Sequence, residues 1–288
     1  MNYFIKGPEL QSNTVELWSD IRLPFQGSGC IKAMRDSLVE AISQMNPVET
    51  NVLRASYHSI LKEFCDLENV LLYNVEKPGV FKKLCSRGIS LERSFDFAPH
   101  LAGASKAFPH YQRYELVAKP CVRYWHAQKM LAHWQDISIS KLTADTKPVE
   151  YWRAIKENQT SVIDEVYDGL FGLDIEIELQ ERNSFNLVSV IKPMLDGIIA
   201  GFHVHQGETL DLLSRRLAKT MIVDTQYAEK LLLDKSQGVL GMRKLLHPYQ
   251  NSVQWNPADD RCVAINIICK KTSERKNPQI SGRLYAVT

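Results

Sequence analysis

The order of helices and strands repeats along this chain of 288 residues. In each half, the spacing of apolar residues predicts a helix, a strand, a polar turn, a second helix and two further strands. The halves end on similar strands, at Tyr111–Val117 and at Ile280–Val287. We therefore predict an α+β protein of two tandem α/β units, which superpose around a pseudo-two-fold axis. Coincidence is the alternative, because alternation of helices and strands is common.

Individual elements follow from local periodicity. Apolar residues at helical spacing predict helices over 31–45 and over 149–171. In Leu173–Leu179, leucine and isoleucine alternate with one aspartate and two glutamates. This period of two predicts a strand with one apolar and one acidic face.

The repeat also predicts the domain boundaries. We expect a first unit over 1–120, a helical connector over 121–148 and a second unit over 149–288. The second half is longer, and we assign the excess to an insertion at about 203–254. Three inserted helices are expected: Leu210–Lys219, Gln226–Lys235 and Leu240–Leu246.

Composition limits the classes of protein to which the chain can belong. Its 35 lysines and arginines and 33 aspartates and glutamates leave a net charge of +2, so a nucleic-acid partner would need a local basic patch. No apolar run reaches the length of a membrane span, and the N-terminus lacks the pattern of a signal peptide. We expect a soluble, cytoplasmic protein. None of its six cysteines has Cys-x-x-Cys spacing, which predicts buried free thiols.

Two carboxylates in the first half have the spacing of a metal site. Asp66 and Glu68 lie two residues apart at a predicted strand-to-helix junction, with Asn69 beside them. Such a pair suits Mg²⁺, which binds a few hard oxygen ligands and keeps several waters. A metal-activated water can attack phosphate while a lysine stabilises the developing charge. The alternative is that Asp66 only caps the following helix.

The second half contains two further charged groups. Lys192 and Asp196 lie four residues apart on one predicted helix, and Asp259-Asp260 precedes the strand at Cys262. The structural alternatives are an exposed ion pair for Lys192 and a simple turn for the two aspartates.

These motifs resemble the RusA-type Holliday-junction resolvases. The signature of that family is a strand, a basic turn, the run Asp-x-Asp-Asn-x-x-Lys at the start of a helix, and Asp-Asp before the next strand. The region 150–288 resembles it in order: strand Leu173–Leu179, a turn at Arg182, Lys192 at the lysine position, and Asp259-Asp260. The resemblance implies a dimeric, Mg²⁺-dependent endonuclease that cuts branched DNA.

Each half departs from this signature differently. In the second half, Asn186 and Val188 replace the first two carboxylates. In the first half, Asp66-Leu67-Glu68-Asn69 matches, but Leu72 stands at the lysine position. No Asp-Asp follows there, and Glu92 is the nearest substitute.

The resemblance therefore implies a single-chain pseudo-dimer whose site residues are divided between the halves. We predict Asp66, Glu68, Lys192 and Asp260 as catalytic residues. Asp66, Glu68 and Glu92 are the predicted ligands of Mg²⁺ or Mn²⁺. The expected partner is DNA, with no membrane contact. The alternative function is a catalytically degenerate subunit that binds nucleic acid or other protein subunits in a larger assembly.

Overall fold

The computed structural model shows a mixed α+β protein. It describes residues 1–9, 12–48, 51–61, 63–75, 79–104, 107–181, 185–273 and 277–288. The chain divides into two compact units. The first unit comprises Met1–His126, Asn186–Val188 and Cys262–Lys270; the second comprises Ala127–Phe185, Ser189–Arg261 and Lys271–Thr288.

The described residues form strands and helices throughout the chain. The strands are β1 Tyr3–Lys6, β2 Thr14–Ser19, β3 Val52–His58, β4 Gly88–Ser94, β5 His110–Val117, β6 Ala127–Ser138, β7 Thr160–Val162, β8 Phe171–Gln180, β9 Val204–His205, β10 Met242–Arg243, β11 Leu246–Tyr249, β12 Ser252–Trp255, β13 Cys262–Thr272 and β14 Gln279–Val287. The α-helices are α1 Cys30–Ser43, α2 Val80–Leu84, α3 Pro148–Glu157, α4 Leu187–Gly201, α5 Leu210–Met221 and α6 Thr225–Leu233. Asn69–Tyr73 forms a π-helical turn, and Asp259–Arg261 forms a 3₁₀ turn.

The first unit contains a mixed sheet in the order β1-β2-β5-β3-β4-β13. Strands β3 and β4 run parallel, and the other neighbouring pairs are antiparallel. All seven residues of β3 are buried, as is typical of a central strand. Helix α1 confirms the prediction for 31–45 and buries the apolar stripe that includes Met34, Leu38 and Ile42.

The second unit contains an antiparallel sheet in the order β8-β14-β6-β7. Strand β8 confirms the alternation predicted for Leu173–Leu179, since its apolar side chains are buried and its acidic ones are half-buried. Across the pair β8–β14, Arg283 lies opposite Asp174, and its Nη2 is 2.6 Å from the aspartate Oδ2. Helices α3, α5 and α6 share a core that includes Trp152, Leu217 and Leu232.

Two of the three predicted inserted helices are confirmed, and the third is wrong. Helices α5 and α6 occupy the first two positions, but the residues predicted as Leu240–Leu246 contain β10 and the start of β11. Gly241 has φ +80°, which ends any helical path there. Strand β10 then pairs in parallel with β9, and β11 pairs with β12.

The predicted helical connector over 121–148 is wrong. Strand β6 occupies its middle, from Ala127 to Ser138, and pairs with both β14 and β7. In β6, Trp134 is buried while His133 is exposed, as expected for neighbours on a strand. The helix predicted over 149–171 is also too long, because α3 ends at Glu157 and the β-branched residues of β7 continue as a strand.

No helix in the described ranges is both long and apolar enough to cross a membrane. All six cysteines are free thiols. Four of them are buried, but Cys30 is exposed and Cys121 is half-buried.

Helix α4 packs closely against α3 through Gly197, which provides a test of the second unit. A Cβ added at Gly197 would lie 2.3 Å from the carbonyl oxygen of Pro148 and 2.7 Å from Cβ of Tyr151. Alanine normally favours a helix over glycine by about 1 kcal/mol. The clashing atoms include backbone of α3, which can shift only at a cost in free energy. Gly197→Ala is therefore expected to lower the free energy of unfolding by about 1–3 kcal/mol.

Urea denaturation of Gly197→Ala and of Gly207→Ala measures this loss. A Cβ at Gly207 meets nothing closer than 3.4 Å, so this control should unfold like the wild type. A stabilised Gly197→Ala variant would contradict the close packing.

Candidate metal centre

Asp66 and Glu68 lie at the start of the helical segment that follows β3 in the first unit. A carboxylate oxygen of Asp66 and one of Glu68 lie within 4.8 Å of each other. The Asp66 Oδ2 accepts a hydrogen bond of 2.5 Å from Nδ2 of Asn69. Glu68 is buried, with only 2% of its surface exposed. The structure thus brings together the two carboxylates that the sequence singled out.

This geometry is electrostatically suited to a cation. Two ionised carboxylates at this separation repel each other, and the repulsion grows where water is excluded, as at Glu68. A divalent cation that both groups ligate removes the repulsion. Mg²⁺ binds oxygen at about 2.1 Å, so two of its ligand oxygens lie at most about 4.2 Å apart. The separation of the pair is therefore compatible with one shared ion after small side-chain movements.

Glu92 lies on β4 and contacts the segment after β5. Its Oε2 accepts hydrogen bonds from the backbone N–H of Arg123 at 2.7 Å and of Tyr124 at 3.1 Å. Burial raises the pKa of the Glu92 carboxyl, although the two backbone donors oppose this effect. Because its carboxylate is engaged here and burial favours its neutral form, Glu92 is a poor metal ligand, and the described residues do not group it with Asp66 and Glu68.

Lys192 lies on α4 in the second unit and bridges two carboxylates. Its Nζ is 2.9 Å from Oδ1 of Asp196 and 2.9 Å from Oδ2 of Asp259. The i,i+4 pair with Asp196 therefore forms, but it is partly buried and shared with Asp259. Asp260 points elsewhere, and its Oδ1 lies 3.8 Å from Nη2 of Arg243. The 3₁₀ turn separates the side chains of Asp259 and Asp260, so Asp259 is the residue that contacts the lysine.

Loss of this lysine should destabilise the second unit. The side chains of Asp196 and Asp259 are only 14% and 16% exposed, so Lys192→Met leaves two poorly hydrated carboxylates without their shared ammonium. We expect the free energy of unfolding to fall by about 1–3 kcal/mol, which is below the cost of breaking a fully buried pair. Thermal denaturation should show no comparable loss in Lys129→Met, whose pair with Glu165 is exposed. Equal losses would contradict this role.

Val188, which stands where the resolvase signature has a carboxylate, makes a structural contact in the first unit. Val188 is buried, and its carbonyl accepts a hydrogen bond of 2.7 Å from the hydroxyl of Tyr73. A valine side chain offers no metal ligand. The basic turn at Arg182 lies outside the described residues.

Sequence reasoning missed the pocket beside the carboxylates. Asp66 and Asn69 line a pocket of about 820 Å³ in the first unit, together with Phe25 and Phe64. Nothing in the sequence around Phe25 or Phe64 indicates a pocket, so only their exposure in the structure identifies them.

Comparison with known proteins identifies no relative of this chain. No protein-family model, curated protein or solved structure matches the chain. The resemblance to RusA-type resolvases therefore stays a prediction drawn from the motifs.

Proposed function

We propose that the chain is a metal-dependent endonuclease that acts on structured or branched nucleic acid, with Asp66 and Glu68 as its metal ligands. The observation that carries this proposal is the approach of these two carboxylates within 4.8 Å, with Glu68 buried. Their order in the sequence, Asp-x-Glu-Asn, resembles the resolvase signature. Mg²⁺ and Mn²⁺ are the ions that such an oxygen pair favours.

The residues of the chain have distinct roles in this proposal. Asp66 and Glu68 hold the cation, and Asn69 orients Asp66 through its 2.5 Å hydrogen bond. A bound divalent ion supplies an activated water and stabilises charge on the phosphate. The pocket beside Asp66 leaves room for a substrate group next to the ion.

Cleavage by the wild-type protein tests the function. Labelled four-way junctions, bubbles, duplexes and single strands of DNA and RNA are incubated with Mg²⁺ or Mn²⁺, and with EDTA. We expect metal-dependent cleavage that favours branched or bubble substrates over the duplex. Absence of cleavage from every substrate would contradict the proposal.

A finer proposal concerns the architecture, in which the chain contains two copies of one α+β unit. In the first unit, β5 lies between β2 and β3 and is antiparallel to both. In the second, β14 lies between β6 and β8 and is antiparallel to both. In each case a helix, α1 or α3, separates the two outer strands in sequence. An experimental structure with different connectivity in the two units would contradict the duplication.

The alternative is a binding subunit without catalysis. The observation that favours it is the ion pairing of Lys192, because an ammonium held between two carboxylates is poorly placed to stabilise a phosphate. Binding of branched nucleic acid without cleavage in the assay above would favour this alternative.

A further inference from the structure

Two exposed phenyl rings line the pocket beside Asp66. Its volume of about 820 Å³ falls within the usual range for small-molecule sites. Phe25 and Phe64 are 66% and 81% exposed. Burial of phenylalanine side chains away from water is favourable, so two exposed rings in one concavity indicate a surface that a ligand covers.

Arginine side chains fix the backbone beneath both rings. Nη2 of Arg35 donates to the carbonyl oxygens of Pro24 at 2.5 Å and Phe25 at 2.9 Å. Nη1 of Arg22 donates to the carbonyl oxygen of Phe64 at 3.0 Å. The rings are therefore held on anchored segments before any ligand arrives. Such preorganisation lowers the entropic cost of binding.

Hydrogen-bond acceptors line the pocket beside the two rings. Asp20, Glu63 and Asp66 line it, and Arg22 is the cation that pairs with Glu63 at 3.4 Å. Burial lowers the pKa of His110, which keeps that imidazole neutral at pH 7. The carboxylates of Asp20 and Glu63 can accept hydrogen bonds from the amino groups of bases.

We infer that this pocket receives one unstacked base of the nucleic acid, with the base against the rings of Phe25 and Phe64 and its amino group toward the carboxylates. The inference rests on the proposed function, which supplies nucleic acid as the class of ligand. It specifies which part of the nucleic acid enters the pocket. A base inside a duplex is covered on both faces, so only single strands, loops and branch points offer one. Stacking on an aromatic ring contributes about 1–3 kcal/mol per base.

A second prediction concerns which bases are accepted. Cytosine carries an exocyclic amino donor where thymine has a carbonyl oxygen. The carboxylates of Asp20 and Glu63 are therefore expected to favour cytosine over thymine, two bases of similar size. Carboxylates beside aromatic rings would also suit a lysine or arginine side chain of a protein partner. Binding of such a partner is the competing outcome of the test.

Fluorescence anisotropy in EDTA measures binding separately from cleavage. The probes are labelled oligodeoxycytidylate and oligothymidylate of equal length. We expect tighter binding of oligodeoxycytidylate, and a loss of about 5- to 150-fold in each of Phe25→Ala and Phe64→Ala. Phe64→Tyr keeps an aromatic face and should restore binding. Phe97→Ala is the matched control, since Phe97 is 74% exposed in the same unit and does not line the pocket.

Each outcome bears on the inference. Binding that Phe25→Ala and Phe64→Ala weaken supports it, whether or not the wild type cleaves, so failure of the nuclease is distinguishable from failure of the pocket. Equal losses in Phe97→Ala, or no oligonucleotide binding, would overturn it. If a lysine-rich peptide binds instead and both alanine variants abolish its binding, the pocket is a protein-docking site and the inference is wrong.

Discussion

Acidification from pH 6.5 to pH 4 is expected to unfold this protein, because two histidines are buried in their neutral form. His58 in the first unit and His203 in the second are 3% and 1% exposed. Burial, which penalises the charged imidazolium, lowers the pKa of His58 to about 4 and that of His203 to about 3. In the unfolded chain, both return to the ordinary value of 6.5.

The direction and size of the effect follow from proton linkage. Between pH 6.5 and 4 the unfolded chain binds protons that the folded chain excludes, so the stabilisation is complete above pH 6.5 and is lost as the pH falls. Each histidine then costs about 3 kcal/mol at pH 4. Each unit therefore loses about 3 kcal/mol, a large fraction of the total stability of an ordinary domain, which is about 5–15 kcal/mol.

The variant His58→Phe isolates one of these contributions. In the described part of the chain, neither ring nitrogen of His58 has a hydrogen-bond partner. The ring packs edge-on against Tyr111 and Tyr124, with centroid distances of 5.1 and 4.7 Å. Phenylalanine fits these contacts without a titrating group, so we expect a lower acid midpoint and increased stability at neutral pH.

Circular dichroism during acid titration provides the measurement. The control is His100→Phe, because His100 is exposed in the same unit. Carboxylates protonate equally in all three proteins, so the difference between midpoints reports on His58. Coincident acid transitions in wild type and His58→Phe would contradict the argument.

The variant Asp66→Asn/Glu68→Gln is expected to lose nuclease activity by at least about 1,000-fold. That loss corresponds to about 4 kcal/mol in the barrier, within the several kcal/mol that a catalytic metal supplies. The amides preserve size but remove the negative charges that hold Mg²⁺. If Asp66 only caps the helical segment, asparagine replaces it well, since both residues cap about equally. The metal role and the capping role therefore predict different results.

Two measurements accompany the cleavage assay for this variant. Titration calorimetry with Mn²⁺ should show one binding event in the wild type and none in the variant, while thermal unfolding remains similar. The control Asp36→Asn/Glu40→Gln makes the same charge change on the accessible face of α1. Unchanged cleavage in Asp66→Asn/Glu68→Gln, or an equal loss in the control, would rule out these carboxylates as metal ligands.

Part of this site could be predicted because it depends on neighbours in sequence. Their closeness in sequence singled out Asp66 and Glu68, but side chains two residues apart on a helix do not face each other. Their approach therefore depends on the backbone at Asp66, which precedes the helical segment. The partner of Lys192 could be predicted only in part. Helical spacing identified Asp196, but the choice of Asp259 over Asp260 depends on the 3₁₀ turn that separates them.

The sequence by itself determined the elements whose pattern is local. The period of two in β8 and the apolar stripe of α1 are properties of consecutive residues, and each element forms where its pattern predicts. Tertiary structure decided features that depend on residues far apart. Residues of the predicted helical connector became β6 because β14 and β7 supply its hydrogen bonds. The exposure of Phe64 and the burial of His58 likewise depend on what packs around them, and no local pattern specifies that environment.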